Sequence, residues 1–257
     1  MLRYKILYST VCNTGKVRSI NQDNFWCIGK YLEEQNNALE SPLNGSIEND
    51  KLPVFAVFDG MGGEQKGETA AYLAADTFNR NYYLFKNGEF QDVFTDVFRN
   101  INTEICKYKS EHGIPNMGTT GAALAFDTKK VYYCNIGDSR IYQLKKMGLK
   151  RISVDHCLQI SENRKAPLTQ YLGVPEDEFI IQPHVSMTKL RNKERFIICS
   201  DGLTDMVNES DIEKVLSSEC SVSDCSNTLL NMALSNGGRD NITIIVCEIQ
   251  KLRRNKE

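Results

Sequence analysis

The stretch FAVFDGMGG, residues 55–63, is an apolar run that ends abruptly on an acid and a glycine. The same event recurs in YYCNIGDSR (132–140) and FIICSDG (196–202), and in mirror order in GGRDNITIIV (237–246). The acids are Asp59, Asp138, Asp201 and Asp240. Asp59 and Asp201 follow their apolar runs and Asp240 precedes its own, so strands of opposite direction bring all three to one sheet edge. Asp138 falls at a strand-to-strand turn. Carboxylates gathered within several ångströms repel one another unless cations neutralise them, and hard divalent ions with oxygen ligands fit that need. Magnesium or manganese is the expected cofactor. One Asp-Gly pair after a strand is ordinary turn chemistry; the ordered set carries the signal.

Outward from these sites, alternation and β-branched or aromatic enrichment predict strands at 4–11, 25–31, 53–58, 121–126, 130–136, 139–144, 194–199 and 241–248. Helical spacing begins after Gly67 and is clearer in Phe94, Val97, Phe98, Ile101 and Ile105, which share one face. Ser210, three residues before Glu213, has the pattern of a capping box, and Asn236-Gly237-Gly238 closes a helical run over 223–234. Helices in pairs between runs of strands cover a sheet. Residues 32–51, rich in Glu, Asn and Ser, read as a polar surface excursion, and the basic end at 251–257 as a solvated tail.

The chain of 257 residues, 41% hydrophobic and 25% charged, is long enough for a substantial core and is expected to form one domain over 1–257. Its 31 Lys+Arg against 33 Asp+Glu leave a formal charge of -2, which disfavours a nucleic-acid partner. Nine cysteines, an odd number without a CxxC pair, read as small buried apolar residues of a reducing compartment. There is no signal-peptide core near Met1 and no apolar stretch of about 18 residues, so a cytoplasmic, non-membrane protein is expected.

Other chemistry fits less well. GMGGEQKG, residues 60–67, follows a strand and enters a helix, but it lacks both GxGxxG spacing and a Lys-Ser/Thr ending, so its glycines are better read as letting backbone approach ions. Arg18, five residues before Asp23, is either a surface arginine or a bidentate clamp for a phosphoryl group. His156-Cys157 followed by Arg164 resembles a cysteine-phosphatase loop, but six residues intervene where five are needed, with Asn163 in the required place and no glycine inside. No GxSxG elbow is present for a serine triad.

Taken in order, RSINQD, VFDGMGG, MGTTGAALAF, NIGDSRIYQL, VDH, LTQYLG, FIICSDGL and GGRDNITIIV resemble the metal-dependent serine/threonine phosphatases of type 2C (the PPM family), especially their bacterial branch, over about residues 11–246. The resemblance implies an α+β fold, a four-layer α-β-β-α sandwich with two antiparallel sheets flanked by helix pairs and a metal cluster at one end. It implies that Asp59 bridges two ions, that the Gly60 carbonyl ligates one of them, and that Asp201 and Asp240 hold the other. Asp23 supports the cluster, Asp138 with Asp201 matches a third, weaker metal site, Arg18 matches the phosphate-binding arginine, and Thr119 and Thr120 match threonines near that site. The implied reaction is hydrolysis of phosphoserine or phosphothreonine on a protein by a metal-bridged water, without a phosphoenzyme. The implied partners are phosphoproteins, among them a partner serine/threonine kinase or its targets; a monomer is expected.

Three departures accompany the likeness. Gln22 stands where many relatives carry Glu, and Met61 replaces the histidine of animal members, leaving water as proton donor to the departing alkoxide. The stretch between His156 and Leu168 is shorter than the flap of typical bacterial relatives. Two competing readings are a pseudophosphatase that only binds a partner, against which Asp59, Asp201 and Asp240 all stand, and a two-metal phosphodiesterase or nuclease, disfavoured by the near-neutral charge.

Overall fold

The computed structural model describes residues 3–62, 66–158 and 166–252. In chain order its strands are β1 (Tyr4–Asn13), β2 (Asp23–Cys27), β3 (Leu43–Glu48), β4 (Val54–Met61), β5 (Gly118–Thr119), β6 (Gly121–Phe126), β7 (Lys130–Ile136), β8 (Arg140–Lys145), β9 (Gly148–Arg151), β10 (His184–Lys189), β11 (Arg195–Cys199) and β12 (Ile242–Lys251). The α-helices are α1 (Gly67–Asn81), α2 (Phe90–His112), α3 (Asp201–Thr204), α4 (Glu209–Ser217) and α5 (Val222–Ser235). One sheet runs β3-β1-β12-β11-β8-β9 and the other β10-β7-β6-β4-β2, with the short β5 paired to β4; every pairing is antiparallel.

The inner strands are apolar throughout because both of their faces are covered. In β4, Val54, Ala56 and Phe58 join the layer packed under α1 and α2, whereas Phe55 and Val57 face the opposite sheet. In β11, Phe196 and Ile198 enter that same inter-sheet core, while Ile197 and Cys199 pack outward with Ile212 and Leu229 of the second helical layer. Successive side chains of a strand point to opposite faces, so burial on both sides yields a continuous apolar run rather than an alternating one. The four layers of the expected α-β-β-α sandwich follow directly, with α1 and α2 outside one sheet and α4 and α5, plus the single-turn α3, outside the other.

Several expectations need correcting. Residues 32–51 are not merely an excursion: Leu43–Glu48 pair with β1 as an edge strand. The α4 cap is Asn208, whose side chain accepts from the Asp211 N–H, rather than Ser210. The capping box belongs instead to Ser221 and Asp224 at the start of α5. Six cysteines are buried, but Cys106 and Cys157 are partly exposed and Cys220 is exposed. No helix among the described residues is long and apolar enough to cross a membrane. Residues 63–65 of the glycine-rich run, Asn163 and Arg164 of the cysteine-loop reading, and residues 253–257 of the basic tail lie outside the described residues.

Candidate active site

Where the two sheets meet at one end, β2 and β4 place Asp23 directly opposite Asp59. Asp23 is buried, and its Oδ2 accepts hydrogen bonds from the Ser200 hydroxyl at 2.8 Å and the Thr243 hydroxyl at 2.7 Å. Ser200 precedes α3 and Thr243 lies in β12, so this one carboxylate ties the sheets together beneath the site. Burial is the main reason its pKa rises to about 7; the two hydroxyls oppose the shift, and the charges of Asp201 and Asp240 add to it.

Backbone contact sets the positions of the other acids. Gly60 donates its N–H to the Gln22 carbonyl at 3.0 Å, and any Cβ there would collide with the carbonyl oxygens of Gly67 and Gln22. Gly202 packs against the Asn241 carbonyl so closely that a side chain has no room, which draws the first turn of α3, bearing Asp201, onto the loop bearing Asp240. Asp240 accepts a hydrogen bond from Arg18 Nη2 at 2.8 Å. That bond, with the nearby charges of Asp59 and Asp201, raises the Arg18 pKa above its ordinary value despite partial burial. Arg18 therefore senses all three acids.

Thr119 and Thr120 are buried and hold the Asp59 backbone. The Thr119 hydroxyl and the Thr120 N–H each donate to the Asp59 carbonyl at 2.9 Å, and the Asp59 N–H donates to the Thr120 hydroxyl at 3.2 Å. Asp138 lines two adjoining cavities. One, of about 300 Å³, also takes Asp59, Met61, Thr120 and Asp201 into its wall. The other, of about 250 Å³, is bounded by Arg140, Asp155, Cys157, Asp201 and Asp205. A third, of about 260 Å³, joins Arg18, Asp205, Arg239 and Asp240. Asp201 and Asp205 thus connect the whole acidic end.

Asn241, Ser200, Thr243 and Arg140 complete this arrangement. Asn241 donates to the carbonyls of Thr14 at 2.9 Å and Ile20 at 3.0 Å and accepts from the Gln22 N–H at 2.8 Å, pinning the loop that carries Arg18. Ser200 and Thr243 were legible in principle, since a hydroxyl inside an apolar strand run must find a partner when buried. Arg140 grips Asp155 through Nε and Nη2, the latter at 2.8 Å, and the Leu158 N–H donates to the Pro167 carbonyl at 3.0 Å.

Among the described residues, no three His, Cys, Asp or Glu side chains are grouped to hold one ion. The donor set still fits magnesium-like cations, which take one or two carboxylates and keep several waters. The clustered charge around the buried Asp23 is the kind of site such a cation relieves.

The protein phosphatase 2C profile matches residues 43–236, more than half of the chain. The serine/threonine phosphatase stp of Listeria monocytogenes serotype 4b is 30% identical over 254 residues, covering 91% of this chain and 92% of that one. The serine/threonine phosphatase PstP/Ppp of Mycobacterium tuberculosis shares the fold, with a TM-score of 0.78 at 24% identity over 96% of this chain and 99% of that one. The catalytic domain of PstP in complex with two manganese ions superposes with a TM-score of 0.76 at 25% identity, covering 96% of this chain and 99% of its own. The double-sheet sandwich with acids gathered at one end is thus that of a phosphatase fold. The chain belongs to the protein phosphatase 2C family.

Proposed function

We propose that the acidic end of the sandwich hydrolyses phosphoserine and phosphothreonine in proteins. The chain is a serine/threonine phosphoprotein phosphatase of the 2C family, and the observation that supports this use of the site is that Asp59, Asp138 and Asp201 line one cavity while Asp240, bonded to Arg18, lines another at the same end. Asp59, the Gly60 carbonyl, Asp201 and Asp240 would hold two divalent cations, manganese or magnesium, with Asp138 and Asp201 serving a third, weaker site. The two manganese ions of the PstP complex support that stoichiometry. Such cations supply a nucleophilic water at neutral pH and charge to balance the phosphoryl oxygens.

The chain's own groups do the rest. Arg18, exposed at the lip, presents its guanidinium to the phosphoryl oxygens and is preoriented by Asp240. Asp23 keeps the Asp59 strand in register with the opposite sheet through Ser200 and Thr243. Thr119 and Thr120 hold the Asp59 backbone so that its carboxylate direction does not wander. Met61, on the wall of the cavity next to Asp59, carries no proton, so the departing alkoxide is protonated from solvent. Residues 1–257 would act as one catalytic domain, as a monomer in the cytoplasm, with a serine/threonine kinase or its targets as substrates. A phosphopeptide panel with manganese, magnesium or chelator tests the reading: metal-dependent release of phosphate that Asp201→Asn abolishes is expected, and chelator-insensitive release contradicts it. Metal-independent peptide binding without turnover would instead make the chain a binding module.

A further inference from the structure

The lip of the site has a basic rim that the hydrolytic chemistry does not use. Two loops meet there: the Lys16 N–H donates to the Gly238 carbonyl at 2.7 Å, and Asn241 reaches across to the carbonyls of Thr14 and Ile20. The Lys16 stem lies over Gly238, where a Cβ would meet its Cγ at 3.3 Å, so Lys16 sits beside the residue preceding Arg239. Arg239 shares the wall of the 260 Å³ cavity with Arg18 and Asp240. Lys16, Arg18 and Arg239 are all exposed. Arg18 is committed to Asp240 at 2.8 Å, whereas no side-chain hydrogen bond or ion pair engages Lys16 or Arg239 among the described residues.

We propose that Lys16 and Arg239 are specificity-determining residues that select phosphopeptides carrying an Asp or Glu next to the phosphorylated residue. This rests on the phosphatase reading above. A phosphoryl group on Arg18 leaves the neighbouring peptide positions within about 4–7 Å along an extended chain, and a cavity of about 260 Å³ is about 8 Å across if spherical. A flanking carboxylate then has Arg239 within reach on the cavity wall, and Lys16, packed on Gly238 one residue before Arg239, adds a second positive charge beside it. The cavity wall also holds the carboxylates Asp205 and Asp240, which keep the acidic group out of the interior and on the rim. The contacts are solvent-exposed, so they act on encounter and binding, weaken with salt, and leave the chemical step alone.

The experiment compares two phosphothreonine peptides that differ only in flanking Asp/Glu against Asn/Gln, using the full chain with manganese, and follows p-nitrophenyl phosphate in parallel. Wild type is expected to show a KM about threefold to tenfold lower for the acidic peptide at low salt, the range two exposed ion pairs supply. In Lys16→Gln/Arg239→Gln that preference falls to within about twofold, with kcat and p-nitrophenyl phosphate turnover unchanged. Fluorescence anisotropy of the labelled peptides gives the same contrast without turnover. Equal KM values in an enzyme active on p-nitrophenyl phosphate, or a preference that survives in the double variant, overturn this inference alone. Absence of p-nitrophenyl phosphate turnover in wild type overturns the phosphatase reading and this inference with it.

Discussion

The Thr243 hydroxyl of β12 donates a 2.7 Å hydrogen bond to the Asp23 carboxylate of β2, joining the two sheets directly beneath the candidate metal site. With Ser200 on the same oxygen, it is half of what holds a buried carboxylate in place. Thr243→Val keeps the shape of the side chain and deletes the donor. The variant is expected to lose about 1–3 kcal/mol of stability, the cost of one lost hydrogen bond to a buried carboxylate, measured by urea denaturation without metal. A midpoint equal to that of wild type would show that the bond contributes nothing.

Gly202 explains why Asp201 and Asp240 can be neighbours, since only a residue without a Cβ lets α3 pack on the Asn241 carbonyl. Gly202→Ala is expected to weaken manganese binding about 10-fold to 100-fold, as displaced supports of metal ligands do, read by calorimetric titration. Unchanged affinity would mean that the two acids do not serve neighbouring ions.

Cations bound by the folded state alone raise its stability by mass action. At a manganese concentration about 100 times the dissociation constant, the gain is about 2.7 kcal/mol, visible as a rise in Tm that chelator reverses. Asp201→Asn should flatten this response. A Tm indifferent to manganese in wild type would contradict the proposed site.

His156 is half-buried, accepts the Gly137 N–H on Nδ1 at 3.2 Å, and has its pKa lowered chiefly by burial. A histidine whose folded pKa lies below its unfolded value of about 6.5 contributes fully above that value and loses its contribution as pH falls through the folded pKa. His184, also lowered by burial, behaves in the same sense. Stability is therefore expected to decline as pH falls below the unfolded value of about 6.5, and His156→Asn, which keeps an acceptor, should make the decline shallower. An identical slope in the variant would remove His156 as a cause.

The candidate site was legible because its acids sit where apolar strands stop. A strand buried on both faces must be apolar to its end, so Asp59 and Asp201 stand out against their runs. Asp23 was harder to place: its role depends on Ser200 and Thr243, which lie 177 and 220 residues away and meet it only across the sheets. Thr119 and Thr120 stand in the motif MGTTGAALAF, but only the fold shows that they hold the Asp59 backbone rather than face solvent.

From the chain alone came the inner strands, including 121–126 and 130–136 at their observed bounds, together with the principal helices and the carboxylates at strand ends. Burial writes itself into residue type at such positions. Three of the four edge strands, β3, β9 and β10, the Asn208 cap and the basic rim of Lys16 and Arg239 emerged only with the tertiary structure. An edge strand is held by backbone hydrogen bonds to a neighbour, which any side chain permits, and the rim exists because two distant loops are bonded to each other; neither leaves a local trace in composition or periodicity.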